Sequence, residues 1–99
     1  MGIPDFQSCM LPLLNLIANG KDYSTHDIES SLATFFNLSD DELSALLPSG
    51  RQRVFRNRVA WAKSYLKQAG LLESPKRGFI KITGRGLEVL NDAPEIVNI

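Results

Sequence analysis

Apolar positions recur at three- and four-residue steps along the chain as far as Gly70, and the period then shortens to two. Phe6, Met10, Leu13, Leu14 and Ile17 make one helical face, which Asn19-Gly20 ends. Pro12 sits inside that face, so a kink or a restart near Leu11 is expected. Ser24 or Thr25 can cap a second helix that carries Ile28, Leu32, Phe35 and Phe36, with Asp27 favourable in its first turn. Ser39-Asp40-Asp41-Glu42 has the Ser-x-x-Glu spacing of a capping box and opens a short third helix through Leu43, Leu46 and Leu47. Pro48-Ser49-Gly50 stops it. A long helix then runs from about Gln52 to Ala69, and Gly70 supplies a left-handed C-terminal stop.

Beyond Gly70, Leu71-Leu72-Glu73 and Phe79-Ile80-Lys81-Ile82 read as two short strands. Ser74-Pro75-Lys76-Arg77-Gly78 joins them as a hairpin tip. Thr83 can cap a last helix holding Leu87 and Leu90. Helices, a basic-tipped hairpin and a further helix, in this order, predict a mainly α fold with a small β-hairpin: a winged helix-turn-helix. The domain is expected over residues 1–92, with 93–99 as the start of a linker or tail.

The long helix divides by angle. With Arg56 as zero, Lys63 falls at about −20°, Lys67 at about 20°, Ala60 at about 40° and Arg53 at about 60°. That is a basic stripe. Phe55, Val59, Ala62, Leu66 and Ala69 lie at about 220–300°, and Val54, Trp61 and Tyr65 at about 140–180°. The two apolar sets merge into one broad arc that must face the core, so Trp61 and Tyr65 are expected to pack inside. Arg58 stands within that arc at about 200°. An unpaired charge there is costly, so Arg58 is expected to snorkel or to pair with an acid from the N-terminal half.

Charge sharpens this picture. Ten of the eleven basic residues fall between Arg51 and Arg85 with one acid, Glu73, a net of +9, while residues 1–50 carry −6. The formal total of zero hides a polarised molecule. Concentrated positive charge beside a hairpin suits phosphates. In such a fold the long helix enters the major groove and the hairpin follows the neighbouring backbone. Arg51, Gln52, Arg53, Arg56 and Asn57 then stand nearest the base edges, where arginine matches guanine and Gln or Asn matches adenine. Lys63, Lys67, Lys76, Arg77 and Lys81 are candidates for phosphate contacts, which orient without specifying. Double-stranded DNA is the partner this arrangement favours.

Other chemistry is thin in these 99 residues. Cys9, the single cysteine, has no internal disulfide partner and lies near the apolar face of the first helix, and a lone His26 cannot build a zinc site with it. Asp40-Asp41-Glu42 reads as dipole-favoured capping rather than as a metal cluster. Gly84-Arg85-Gly86 lacks the strand–loop–helix frame of a nucleotide loop. No Asp/Glu-x-Lys triplet and no Ser-His-acid set occurs, so catalysis by this chain is not expected, nor is a cofactor. No apolar run approaches a membrane span, and the lone cysteine makes a reducing, cytoplasmic setting the expectation. Apolar content of 43% and charged content of 22% suit one small globular domain.

Several motifs occur together in order: Ile3-Pro4-Asp5-Phe6, Met10-x-Pro12-Leu13-Leu14, Ser49-Gly50-Arg51-Gln52, Phe55-x-Asn57-Arg58-Val59-x-Trp61-Ala62, Leu66-x-x-Ala69-Gly70-Leu71, Ser74-x-x-Arg77-Gly78 and Ile82-Thr83-x-x-Gly86. This set resembles the N-terminal domain of Mrr-type restriction proteins over nearly the whole chain, most specifically in the Asn-Arg-x-x-Trp-Ala stretch. The resemblance implies a winged-helix module that targets modified, methylated DNA for a metal-dependent endonuclease domain absent from this chain. Mg2+ is then expected in that nuclease domain, which is also a possible protein partner. It further implies a prokaryotic, nucleoid-associated setting. Two other readings of the residues remain: a free-standing winged-helix transcriptional regulator, and a winged-helix module whose basic face docks an acidic protein.

Overall fold

The structure, a computed structural model, describes residues 3–91. Five helices and three short strands follow one another in a winged-helix order: α1 (Phe6–Leu16), β1 (Tyr23–Ser24), α2 (Thr25–Phe35), α3 (Asp40–Ser44), α4 (Val54–Gln68), β2 (Leu72–Glu73), β3 (Phe79–Ile82) and α5 (Gly84–Asn91). The strands form one antiparallel sheet in the order β1-β3-β2, with Leu72 opposite Ile82 and Tyr23 opposite Ile80. The expected tail from residue 93 lies outside the described residues.

The caps decide where helices start. Asp5, Ser24 and Ser39 accept the backbone N–H of Ser8, Asp27 and Glu42 respectively, and Ser39 with Glu42 completes a reciprocal capping box. Two of the stops are left-handed. After α2, Asn37 has φ 52° and Leu38 N–H returns to the Ala33 carbonyl. After α4, Gly70 has φ 78° and Leu71 N–H returns to the Leu66 carbonyl. In both, the next amide back completes the paired bonds that satisfy the last free carbonyls. Thr83 caps α5 by accepting the Gly86 N–H, and its hydroxyl also donates to the Gly70 carbonyl, tying the ends of α4 and β3 together.

The structure narrows one sequence expectation, corrects a second and adds a strand. Helix α1 runs through Pro12 with no restart near Leu11. Met10, Leu13 and Leu14 are fully buried on both sides of the proline and hold the segment in place. Helix α3 stops at Ser44; Ala45 turns extended, Leu46 bridges to Arg53, and Leu47 N–H donates to the Gln52 carbonyl. Pro48, Ser49 and Gly50 thus sit at the tip of a small hairpin-like loop rather than at the end of a helix. Strand β1 was not foreseen, because two residues carry no period.

One core joins all layers. Cys9, Leu13 and Leu14 of α1, Ile28 and Leu32 of α2, Phe55, Val59, Ala62 and Leu66 of α4, Leu71 just before the sheet, and Leu72, Ile80 and Ile82 within it are buried together. Burial alternates along β3, with Ile80 and Ile82 inward and Phe79 and Lys81 at the flank. Burial also pushes the Cys9 thiol up to about 11, so it is a neutral core side chain at physiological pH. Gly86 is buried against the backbone of Leu71 and the side chain of Ile82, a gap that a Cβ does not fit. That close approach seats α5 on the hairpin. Among the described residues no helix is long and apolar enough to cross a membrane.

Candidate nucleic-acid interface

Helix α4 packs chiefly on α1 and carries the candidate surface on its other side. Its fully buried residues, Phe55, Val59, Ala62 and Leu66, centre at about 270° on the angular scale used above, so the outward direction is about 90°. Asn57 and Ser64 lie closest to that direction. Arg53, Ala60 and Lys67 flank it on one side, and Gln68 and Trp61 on the other. The basic stripe centred on Arg56 is therefore turned sideways, toward α2 at one end and the hairpin at the other.

That tilt separates the cations. Arg56 Nε reaches both carboxylate oxygens of Glu29 on α2, at 3.0 and 3.4 Å. The bond to Glu29 raises the Arg56 pKa above its ordinary value, and the pair spans a crevice lined by Thr25, His26, Val59 and Ala60. His26 is exposed there, beside the cap of α2. Further along, Lys63 and Lys67 line a shallow crevice of about 60 Å³ with Ser74, Gly78, Phe79 and Ile80 of the hairpin. The structure thus brings the second half of α4 and the hairpin side by side.

The hairpin is held where it is needed. Both the amide and the hydroxyl of Thr25 donate to the Gly78 carbonyl at 2.9 Å, so the start of α2 anchors the loop. The Ser74 hydroxyl lies within hydrogen-bonding distance of the Lys76 and Phe79 carbonyls. Lys76 Nζ sits 4.2 Å from the centre of the Phe79 ring, a cation–π contact that fixes its stem, and Arg77 is exposed at the tip. Lys81 stands opposite Glu73 in the β2–β3 register. At the other end of the surface, Asn57 Nδ2 donates to Gln52 Oε1 at 3.3 Å, joining the loop before α4 to its first turn. Arg51 and Arg53 are exposed beside them.

Two residues of the Asn57-Arg58-x-x-Trp61 stretch part company. Arg58, expected to snorkel or to pair with an acid, is half-buried and meets a backbone carbonyl instead: Nη1 donates to the Pro4 carbonyl at 3.4 Å. Its charge also adds to the Ser8 N–H, the main cause, in lowering the Asp5 pKa. Trp61 does not enter the core; it is 51% exposed. Tyr65, which shares its flank, is covered by stacking on Phe6 at 4.9 Å and 15°. The N-terminal segment covers the flank only that far, leaving Trp61 half open with its ring 5.9 Å from Tyr65. Its angle, about 130° from the burial axis, was the available signal. Among the described residues, no group of three or more His, Cys, Asp or Glu is placed to hold a metal ion.

Residues 6–92 match the family described as the Mrr N-terminal domain. The chain is also similar to the type IV methyl-directed restriction enzyme EcoKMrr of Escherichia coli (strain K12), at 29% identity over 96 residues. That alignment takes in 96% of this chain and 31% of the relative's length. No solved structure matches the chain.

Proposed function

The chain belongs to the Mrr N-terminal domain family, a domain of restriction systems, and on that premise we propose that it is the DNA-targeting module of an endonuclease acting on methylated DNA. The observation that carries this reading is the placement of Lys63 and Lys67 beside an anchored basic hairpin, with Asn57 and Arg53 on the outward face of the same helix. A helix and a wing side by side can follow a major groove and its adjoining backbone together. Lys63, Lys67, Lys76, Arg77 and Lys81 contact phosphates. Arg51, Gln52, Arg53 and Asn57 approach base edges. Arg56 is held by Glu29 in the free protein. Strand cleavage, and the Mg2+ it uses, belong to a nuclease domain of the full-length enzyme, which works in the cytoplasm on the nucleoid.

Fluorescence anisotropy of a labelled duplex, titrated with the chain across a salt series, tests this reading. Neutralising about six phosphates gives a slope of roughly −5 for log affinity against log salt. Binding that hardly changes between low and moderate salt, or no binding at low salt, contradicts it.

A further inference from the structure

We propose that Trp61 is the side chain that meets the methyl group of modified DNA, an inference that rests on the DNA-targeting reading and names the determinant within that site. Trp61 is the one tryptophan in the sequence and the one large apolar side chain of α4 that stands strongly exposed. Its neighbours on the outward side are polar: Asn57 lies about 6 Å before it and Ser64 about 4.5 Å after it along the helix axis. Tyr65, braced by Phe6, props the indole from one side and leaves the other open.

Cations and amides on this face can find phosphates and base edges, but they gain nothing from an added methyl. A flat apolar surface does. The methyl of C5-methylcytosine projects into the major groove as the thymine methyl does, and N6 of adenine, with any methyl on it, also lies at the major-groove edge. An indole already braced loses little rotamer freedom on meeting such a group. Burying one methyl gives a preference of about four-fold per contacted group. The shared chemistry is a methyl at the major-groove edge, and the two modified bases are separate arms of the test.

The sole tryptophan makes the chain its own reporter. Three labelled duplexes of one sequence are compared by anisotropy: unmodified, with C5-methylcytosine, and with N6-methyladenine. Acrylamide quenching of Trp61 is followed in parallel. The expected result is a preference of about four-fold or more for one methylated duplex and a drop in quenching on complex formation. Trp61→Ala abolishes the preference, Trp61→Phe keeps part of it, and circular dichroism shows both variants folded. Unchanged quenching in a complex that anisotropy shows to be formed overturns the inference and leaves DNA targeting standing. So does equal binding of all three duplexes by the wild type, or a Trp61→Ala variant that keeps the preference or weakens all three equally. Failure to bind any duplex at low salt overturns both proposals.

Discussion

Replacing Glu29 by Gln asks whether Arg56 is withheld from DNA or aimed at it. In the free protein its guanidinium is bound to both oxygens of Glu29, with the Arg56 side chain 56% exposed and the Glu29 side chain 18%. A pair this open to water contributes only about 0.2–1 kcal/mol to folding. Glu29→Gln should therefore lower the melting temperature by no more than about 8 °C in a domain of this size. Its effect on DNA binding is opposite in sign. It removes one negative charge beside the basic surface and frees one cation. Screened repulsion over about 8–10 Å, summed over the nearest phosphates, amounts to somewhat under 1 kcal/mol, or about two- to five-fold tighter binding. If the released Arg56 reaches a phosphate, the salt slope steepens by about 0.9. Anisotropy titrations at four salt concentrations, with wild type, Glu29→Gln and Arg56→Ala side by side, give both quantities. Weaker binding by Glu29→Gln, matching the loss in Arg56→Ala, refutes the reasoning: Glu29 then orients Arg56 onto DNA rather than holding it back.

Gly86→Ala should destabilise the domain by about 1–3 kcal/mol, since its Cβ meets the Leu71 carbonyl and approaches Ile82 Cγ1 to 2.7 Å. Thermal unfolding should show a fall of about 5–20 °C, and a change near zero means that α5 can shift away from the hairpin. The folded-state pKa values of Asp5 and Glu42 are lowered, chiefly by the backbone N–H of Ser8 and of Ser39, from ordinary values of 3.8 and 4.5. Their stabilising contributions are fully present above those values and disappear as pH falls through the lower folded ones. Melting temperatures between pH 6 and pH 2 should decline less steeply for Asp5→Asn with Glu42→Gln than for wild type, and parallel curves contradict this assignment.

Much of the fold was legible because its boundaries are written in local chemistry. Ser24, Ser39, Gly70 and Thr83 each satisfy backbone groups that a helix end leaves open; type and spacing pointed to the last three and narrowed the first to Ser24 or Thr25. The β2–β3 hairpin showed itself through alternation and a turn-rich tip. Strand β1 was invisible, since Tyr23 and Ser24 pair with β3 across more than fifty residues of chain and have no period of their own. The surface was harder to read. A helical wheel gives angles but not which flank a distant segment covers. Pro4 and Phe6 meet Arg58 and Tyr65, whereas Trp61 stays half exposed, so three residues grouped as one apolar arc have three different fates. Arg56 looked like the centre of an outward stripe because Glu29, 27 residues away in sequence, could not be placed opposite it.

The surface shared by the second half of α4 and the hairpin is most directly tested by converting Lys63, Lys67, Lys76 and Arg77 together to Glu and repeating the salt titration. With folding verified by circular dichroism, the account predicts that duplex affinity collapses and that the slope flattens from roughly −5 to roughly −1.5, one increment of about 0.9 per lost phosphate contact. A folded quadruple variant that binds DNA with the wild-type affinity and slope would place the interface elsewhere on the molecule.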